Sequence, residues 1–329
     1  MLHTRTHGGP DAQGAPLYDF STNSNACGPC PQALAAVQAA DATRYPDASY
    51  TALRAVLADF YAVAPWRIVL AGSASEFIFR ITAWARQQGA RTVGLPTHAY
   101  GDYAHAAQAW GLGVAEASAQ ADLVWACEPS SPLGQAHSQA LGDVLNRADG
   151  TVVLDSAYAP LRLSGLPTVD DVQRQQLWQL FSPNKSLGLT GVRAAFAIAP
   201  LGAEAAVQQL EALAPSWVLG AHGAALLMAW THADTQRWLE DSLRTLVGWK
   251  QRQTDLLHAA GWTVQPSDTP FFCARPPAAW DTVSLCVALR VHGIKLRDAT
   301  SFGLPGWVRL GVLPPAAQDA LMQQLLYGD

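Results

Sequence analysis

The densest run of reactive residue types in the chain is Phe181-Ser182-Pro183-Asn184-Lys185-Ser186-Leu187-Gly188-Leu189-Thr190-Gly191-Val192-Arg193. Lys185 stands among small, hydroxyl-bearing and glycine residues, with Ser182 three positions before it and Arg193 eight after it. An amine in such a turn can condense with an aldehyde when its surroundings lower its pKa. The serine and the arginine can hold a phosphate. Upstream, Thr151-Val152-Val153-Leu154-Asp155 reads as a buried strand ending in a carboxylate, with Tyr158 three residues beyond. A buried carboxylate keeps an aromatic ring nitrogen protonated, and a phenol can hydrogen-bond a ring oxygen. A second turn, Gly72-Ser73-Ala74-Ser75-Glu76, lies between an apolar run and a helix-period segment, where backbone amides face an anion. An amine for an aldehyde, a cation and amides for a phosphate, a carboxylate for a ring nitrogen and a phenol for a ring oxygen are what pyridoxal 5′-phosphate (PLP) requires. The ordered set therefore predicts PLP as the cofactor. Lys185 forms the Schiff base, Asp155 and Tyr158 tune the ring, and Ser73, Ala74, Ser75, Ser182 and Arg193 surround the phosphate.

These residues need a scaffold that brings strand ends together. Arg67–Ala71, Thr92–Leu95, Asp122–Ala126, Thr151–Asp155 and Ala194–Ile198 are short apolar runs. They alternate with helix-period stretches such as the one from about Ser75 to Gln88. Such alternation predicts an α/β fold with a mainly parallel sheet covered on both faces. Ligands of these sheets bind at the carboxyl ends of the strands, where the reactive residues fall. From about Leu201 to Ala260 the pattern is helical. It is followed by strand-like pieces at 262–265, 271–274 and 307–312 and a helix near 283–292, which predict a smaller α+β domain. The expected division is a large cofactor-binding domain over residues 41–235 and a small domain made of residues 1–40 and 236–329.

Composition excludes several classes. Half of the 329 residues are hydrophobic, and the net charge of −5 is mild and unclustered. Neither nucleic acid nor a membrane is an expected partner. Residues 1–7 lack an apolar signal-peptide core, so a cytoplasmic location is expected. Five cysteines do not form a paired framework. Cys27-Gly28-Pro29-Cys30 ahead of a helix has the form of a thiol–disulfide redox sequence, but no small redox-domain pattern surrounds it. Thiol–disulfide oxidoreductase and non-catalytic PLP-fold binder stand as the readings from other classes.

The chain resembles the fold-type-I PLP enzymes of the aspartate aminotransferase superfamily, in the branch that holds the histidinol-phosphate aminotransferases. The likeness spans nearly the whole length. It rests on His7-Gly8-Gly9, Asp19-Phe20-Ser21-Thr22-Asn23-Ser24-Asn25, Arg44-Tyr45-Pro46-Asp47, the turn at 72–76, Asp155-x-x-Tyr158, the lysine run, and Gly293-Ile294-Lys295-Leu296-Arg297-Asp298 through Ser301-Phe302 to Arg309. The His-Gly-Gly start and the Arg-Asp, Ser-Phe, Arg ending are most similar to the threonine-phosphate decarboxylases of cobalamin biosynthesis. The resemblance implies a homodimer in which Tyr45 reaches the neighbouring cofactor phosphate. It also implies an aromatic stacked on the ring, Tyr100 with His98 as the alternative, and a substrate held by His7, Gly8, Asn23, Asn25, Arg297 and Arg309. Where the family carries Asn-Pro-Asn-Asn-Pro-Thr-Gly this chain has Glu128-Pro129-Ser130-Ser131-Pro132-Leu133-Gly134, so Ser131 takes the place of an asparagine at the ring oxygen. Asn184 stands where a serine is usual.

The protein selects the bond that PLP breaks by gripping the other substituents. If Arg297 and Arg309 both hold a substrate phosphate, the α-carboxylate is free to leave as CO₂; if Arg309 holds the carboxylate, amino transfer follows. The resemblance favours decarboxylation of L-threonine O-3-phosphate to 1-amino-2-propanol phosphate, with an aminotransferase of the histidinol-phosphate or aromatic type as the alternative.

Overall fold

The computed structural model describes residues 7–116, 120–137, 144–145 and 150–327. Its centre is a seven-stranded sheet with spatial order Ile68–Ala71, Ala195–Ile198, Trp178–Phe181, Thr151–Asp155, Leu123–Cys127, Thr92–Gly94 and Gly113–Val114. Every pairing is parallel except those of Ala195–Ile198, which runs antiparallel to both neighbours. The fold is therefore the α/β architecture that the alternation predicts, a mainly parallel sheet with helices on its faces, as the resemblance drawn from the sequence also implies. Strands 68–71, 123–127, 178–181 and 195–198 are buried along their whole length, as a sheet covered on both sides requires. One apolar cluster, including Leu57, Phe196 and Leu226, fills one side; another, including Phe77, Tyr103 and Trp125, fills the other.

Strand Trp178–Phe181 has no counterpart among the sequence-predicted strands. Gln179 interrupts its apolar run, and only the fold supplies the compensation: the side-chain amide is buried and donates to the Arg174 carbonyl at 3.1 Å. Register places Cys127 opposite Asp155 and Asp155 opposite Leu180. Three adjacent carboxyl ends therefore deliver Cys127, Asp155 and, one residue past Phe181, the start of the lysine run.

A second, four-stranded antiparallel sheet contains Arg297–Asp298, Val308–Gly311, Phe271–Arg275 and Thr263–Val264 in that order. It packs with the 27-residue helix Ala233–Ala259 and with Pro315–Tyr327 around Phe20, Leu257, Phe272 and Leu310. Phe20 belongs to the amino-terminal segment, which docks here. Tyr18–Asp19 pairs in parallel with Ile294–Lys295, and Gly311 N–H donates to the Phe20 carbonyl at 2.7 Å. Arg297 and Arg309 are direct partners across this sheet. Among the described residues no helix is long and apolar enough to cross a membrane.

Candidate active site

Lys185 is held by the loop that carries it and by a loop far away in sequence. Its carbonyl accepts from Asn25 N–H at 2.9 Å, and the Leu187 carbonyl accepts from Cys30 N–H at 2.8 Å. The Asn25 side chain donates to the Ser186 carbonyl at 3.0 Å and to Ser242 Oγ at 2.7 Å. The two loops touch through glycines. A Cβ built on Gly188, whose φ is +66°, would lie 2.8 Å from the Gly28 Cα. Any side chain there pushes the loops apart, because the left-handed backbone suits glycine and the neighbouring atom is main chain.

The Lys185 amine donates to Ser182 Oγ at 3.1 Å. Asn184 settles how that hydroxyl is used. Its amide nitrogen donates to the Val192 carbonyl at 3.1 Å, so its oxygen faces Ser182 and accepts that single hydroxyl proton at 2.8 Å. Ser182 is left with lone pairs for Lys185. Asn184, the departure from the usual serine, thus closes the 182–192 loop and orients its hydroxyl. Burial pushes the Lys185 amine below its ordinary value of 10.5; the Asp155 charge opposes this and Arg193 adds to it. A larger neutral fraction makes the amine a better nucleophile.

Asp155 is 5% exposed. One carboxylate oxygen accepts from Ala157 N–H at 2.9 Å and the other from the Tyr103 hydroxyl at 2.7 Å. Tyr158 packs edge-on against Phe271, and the Lys185 amine lies 5.6 Å from its ring centre. Burial pushes its phenol up to about 12, against Arg309 and Asn23, which pull it down. Asn23 is buried and faces that hydroxyl, yet neither of its amide atoms completes a hydrogen bond of normal geometry.

A cavity of about 140 Å³ lies between these groups, lined by Ser75, Ser131, Asp155, Ser182, Lys185 and Arg193 among others. It continues into a compartment with His7, Gly8 and Asn23, and another with Arg297, Ser301 and Arg309. Tyr100 and Tyr158 line all three. Of the two candidate ring-stacking residues the structure brings Tyr100 to the cavity, its hydroxyl 3.2 Å from Ser75 Oγ. His98 is turned away, with Nδ1 2.7 Å from the Phe302 carbonyl. The turn at 72–76 divides its work. Ser73 caps helix Ala74–Gln87 by accepting from Glu76 N–H at 3.0 Å, whereas Ala74 and Ser75 line the cavity. Arg193 lines the same end and makes no hydrogen bond or ion pair among the described residues. Its carbonyl packs against helix Ala221–Trp230, where a Cβ on Gly223 would lie 2.9 Å from it. A guanidinium without a partner among the described residues, three serine hydroxyls, an amine and a buried carboxylate around one cavity fit PLP as donor set and charge pattern.

The third compartment is cationic. Arg309 is 7% exposed; one terminal nitrogen donates to the Ser21 carbonyl at 2.7 Å, and its Nε is buried with no partner among the described residues. Arg297 donates to Ser301 Oγ at 2.6 Å. Both guanidinium carbons lie over the Phe302 ring, at 4.7 Å for Arg297 and 5.5 Å for Arg309. Burial first, then the charge of Arg309, lowers Arg297 to about 10. Gly8 lines this compartment, and the position takes no side chain because a Cβ there would sit 2.0 Å from the Ser21 carbonyl oxygen.

One expectation is corrected here, and one alternative reading loses its support. Asn25 is not at the substrate compartments: its amide is fully used on Ser186, Ser242 and Cys27 N–H, so it clamps the lysine loop. Cys27 and Cys30 are free thiols whose sulfurs bond to the Ser242 carbonyl and the Gln32 side chain. Burial pushes the Cys27 thiol up to about 11, the opposite of what a redox nucleophile needs. Tyr45 touches no compartment within this chain; it is 76% exposed and stacks on Trp217 at 4.3 Å. Glu128, another departure, is buried and accepts from Arg162 at 2.8 Å and from Thr168 N–H at 2.8 Å, which ties the Ser131 loop to residues 162–168. Sequence reasoning missed Tyr103, which lines the cavity, and His105 and Ser301, which line the compartment with Arg297 and Arg309. Only the Ser-Phe pair at 301–302 carried any signal.

The family model for aminotransferase class I and II matches residues 15–326. A histidinol-phosphate aminotransferase 2 of Thiobacillus denitrificans is 28% identical over 334 residues, covering 94% of this chain and 91% of that protein. The crystal structure of a histidinol-phosphate aminotransferase from Sinorhizobium meliloti in complex with pyridoxal-5′-phosphate superposes with a TM-score of 0.78 at 19% identity, covering 98% of this chain and 95% of that one. The L-threonine-O-3-phosphate decarboxylase from Porphyromonas gingivalis superposes with a TM-score of 0.78 at 21% identity, covering 94% and 98%.

Proposed function

We propose that this chain, which belongs to the aminotransferase class I and II family and is a PLP-dependent enzyme, acts on a phosphorylated amine substrate and decarboxylates L-threonine O-3-phosphate. The observation that carries the reading is the pair of guanidiniums at Arg297 and Arg309. Both lie over one phenyl ring and line one compartment, and Arg309 is deeply buried with an unused Nε–H. Two buried cations side by side repel; a dianion between them removes that cost and takes up the Arg309 Nε–H. A phosphate supplies two charges and several acceptor oxygens, where a carboxylate supplies one charge.

Bound PLP supplies an electron sink for whichever bond at the amine-bearing carbon stands perpendicular to its ring. The residues of this chain decide the rest. Lys185 would anchor the cofactor and supply an amine that can hold or move a proton beside the reacting carbon. Asp155 would hold the ring nitrogen, Tyr158 and Ser131 the ring oxygen, and Ser75, Ser182 and Arg193 the cofactor phosphate, with Tyr100 against the ring. Arg297, Arg309, Ser301, His7 and Gly8 take the substrate phosphate. With both arginines on the phosphate, no other arginine among the described residues lines that compartment to fix the α-carboxylate near the ring plane, so the carboxylate would be free to depart. A homodimer in which Tyr45 and Trp217 meet the neighbouring subunit belongs to the same proposal.

A second reading, amino transfer from histidinol phosphate, is favoured by the names of the relatives. It uses the same phosphate grip on a substrate that has no carboxylate to lose. Purified protein with PLP is incubated with L-threonine O-3-phosphate, and separately with histidinol phosphate plus 2-oxoglutarate. Release of CO₂ with aminopropanol phosphate in the first supports decarboxylation. Glutamate from the second, with no CO₂ from the first, replaces it by the transferase reading.

A further inference from the structure

Tyr103 lies on the inward side of helix Gly101–Ala109 and is completely buried. Its ring stacks on Trp125 of the neighbouring strand, with centroids 4.4 Å apart and planes 10° from parallel, so its position is fixed from below. Its hydroxyl reaches Asp155 Oδ2 at 2.7 Å. The direction of that hydrogen bond is settled. Burial first, and the Asp155 charge second, push the Tyr103 phenol well above its ordinary value, so it keeps its proton and donates. Lys185 and Cys127 also face Asp155. Buried Cys127 is itself pushed up and stays a neutral thiol, while the Lys185 amine becomes covalently occupied once the cofactor is anchored.

Asp155 therefore carries one fixed donor on each oxygen, Tyr103 on Oδ2 and Ala157 N–H on Oδ1. A carboxylate that accepts such bonds is a weaker base than one that does not. We propose that Tyr103 is a positioning residue for the cofactor: its hydroxyl donor fixes the Asp155 carboxylate where it faces the ring nitrogen, so that the proton shared between the two rests on the nitrogen. The inference rests on the proposed role of Asp155 and adds a residue to it. A tyrosine that merely fills the core would affect stability and leave that proton where it is.

The test uses holoenzyme carrying PLP labelled with ¹⁵N in the ring, read by NMR at neutral pH, with melting curves as the control on folding. Wild type is expected to give the resonance of a protonated ring nitrogen. Tyr103→Phe keeps the ring and its stacking on Trp125 and removes only the hydroxyl. It is expected to shift the resonance toward neutral pyridine, lowering the ratio of protonated to neutral nitrogen about tenfold, one pKa unit. Replacing Tyr103 by 3-fluorotyrosine, a nearly isosteric and stronger donor, is expected to leave the nitrogen at least as protonated as in wild type. A protonated wild-type nitrogen that does not move in Tyr103→Phe, or that the fluorinated residue moves toward neutrality, overturns the role of Tyr103 and leaves that of Asp155 standing. A wild-type nitrogen that is already neutral overturns both.

Discussion

Arg309→Gln should separate a phosphate grip from a carboxylate grip. One guanidinium N–H is committed to the Ser21 carbonyl at 2.7 Å, and the Nε–H is buried without a partner. Glutamine is shorter, uncharged and unable to form a two-pronged contact. The change removes about two charge-assisted hydrogen bonds to a bound dianion, each worth about 1.5–3 kcal/mol. Arg297 remains in the compartment, so the loss falls toward the lower end, about 3–4 kcal/mol. At 1.36 kcal/mol per decade that is about 10²- to 10³-fold in kcat/KM. The assay is a two-by-two comparison of wild type and variant on L-threonine O-3-phosphate and on L-threonine. On L-threonine the variant should stay within about threefold of wild type, because the lost contact was to the phosphate. Equal losses on both substrates would refute the reasoning, since they would place Arg309 on the carboxylate that both substrates share.

Further outcomes follow from the same geometry. Inorganic phosphate should raise the melting temperature of wild type and raise that of Arg309→Gln far less, because it relieves repulsion between Arg297 and Arg309; thermal shift with and without phosphate checks this. Capture of PLP by the apoprotein should speed up with pH and level off below 10.5. Only the neutral amine attacks, and the Lys185 pKa in the folded protein lies below that ordinary value; a stopped-flow rate that is still climbing beyond 10.5 contradicts it. Gly188→Ala should destabilise the protein by about 1–3 kcal/mol and hasten cofactor loss, since the added Cβ meets the Gly28 backbone in a left-handed conformation; denaturation midpoints and the rate of PLP release measure both. Glu128→Gln should cost about 2–3 kcal/mol by leaving the Arg162 charge short of its buried partner, visible as a lower melting temperature with little change in KM.

What was legible in the sequence was the part carried by short spacings. Ser182, Lys185 and Arg193 lie within one loop, and Asp155 and Tyr158 follow one strand, so chain connectivity alone keeps them together. Ser73 and Ser75 show the limit of that reading: two hydroxyls in one turn look alike in sequence, and helix geometry sends one to the cap and the other to the cavity. Asn25 was misread for a similar reason. A side chain in a polar loop reads as a ligand until three partners on other segments are seen to consume its amide. Tyr103 was invisible because its meeting with Asp155 depends on how a helix packs onto the sheet, and no local pattern encodes that. Arg297 and Arg309 stood out only through resemblance; their pairing across a sheet more than a hundred residues from Lys185 is a tertiary fact.

The most direct test of the cofactor site is to reduce the holoenzyme with borohydride and map the modified peptide by mass spectrometry. The chain has three lysines, at 185, 250 and 295. Lys250 is engaged with the Ser267 carbonyl, and Lys295 with the Gly9 carbonyl and Asp11. The account predicts the pyridoxyl mass on Lys185 alone; stoichiometric label on Lys250 or Lys295, with Lys185 unmodified, contradicts it.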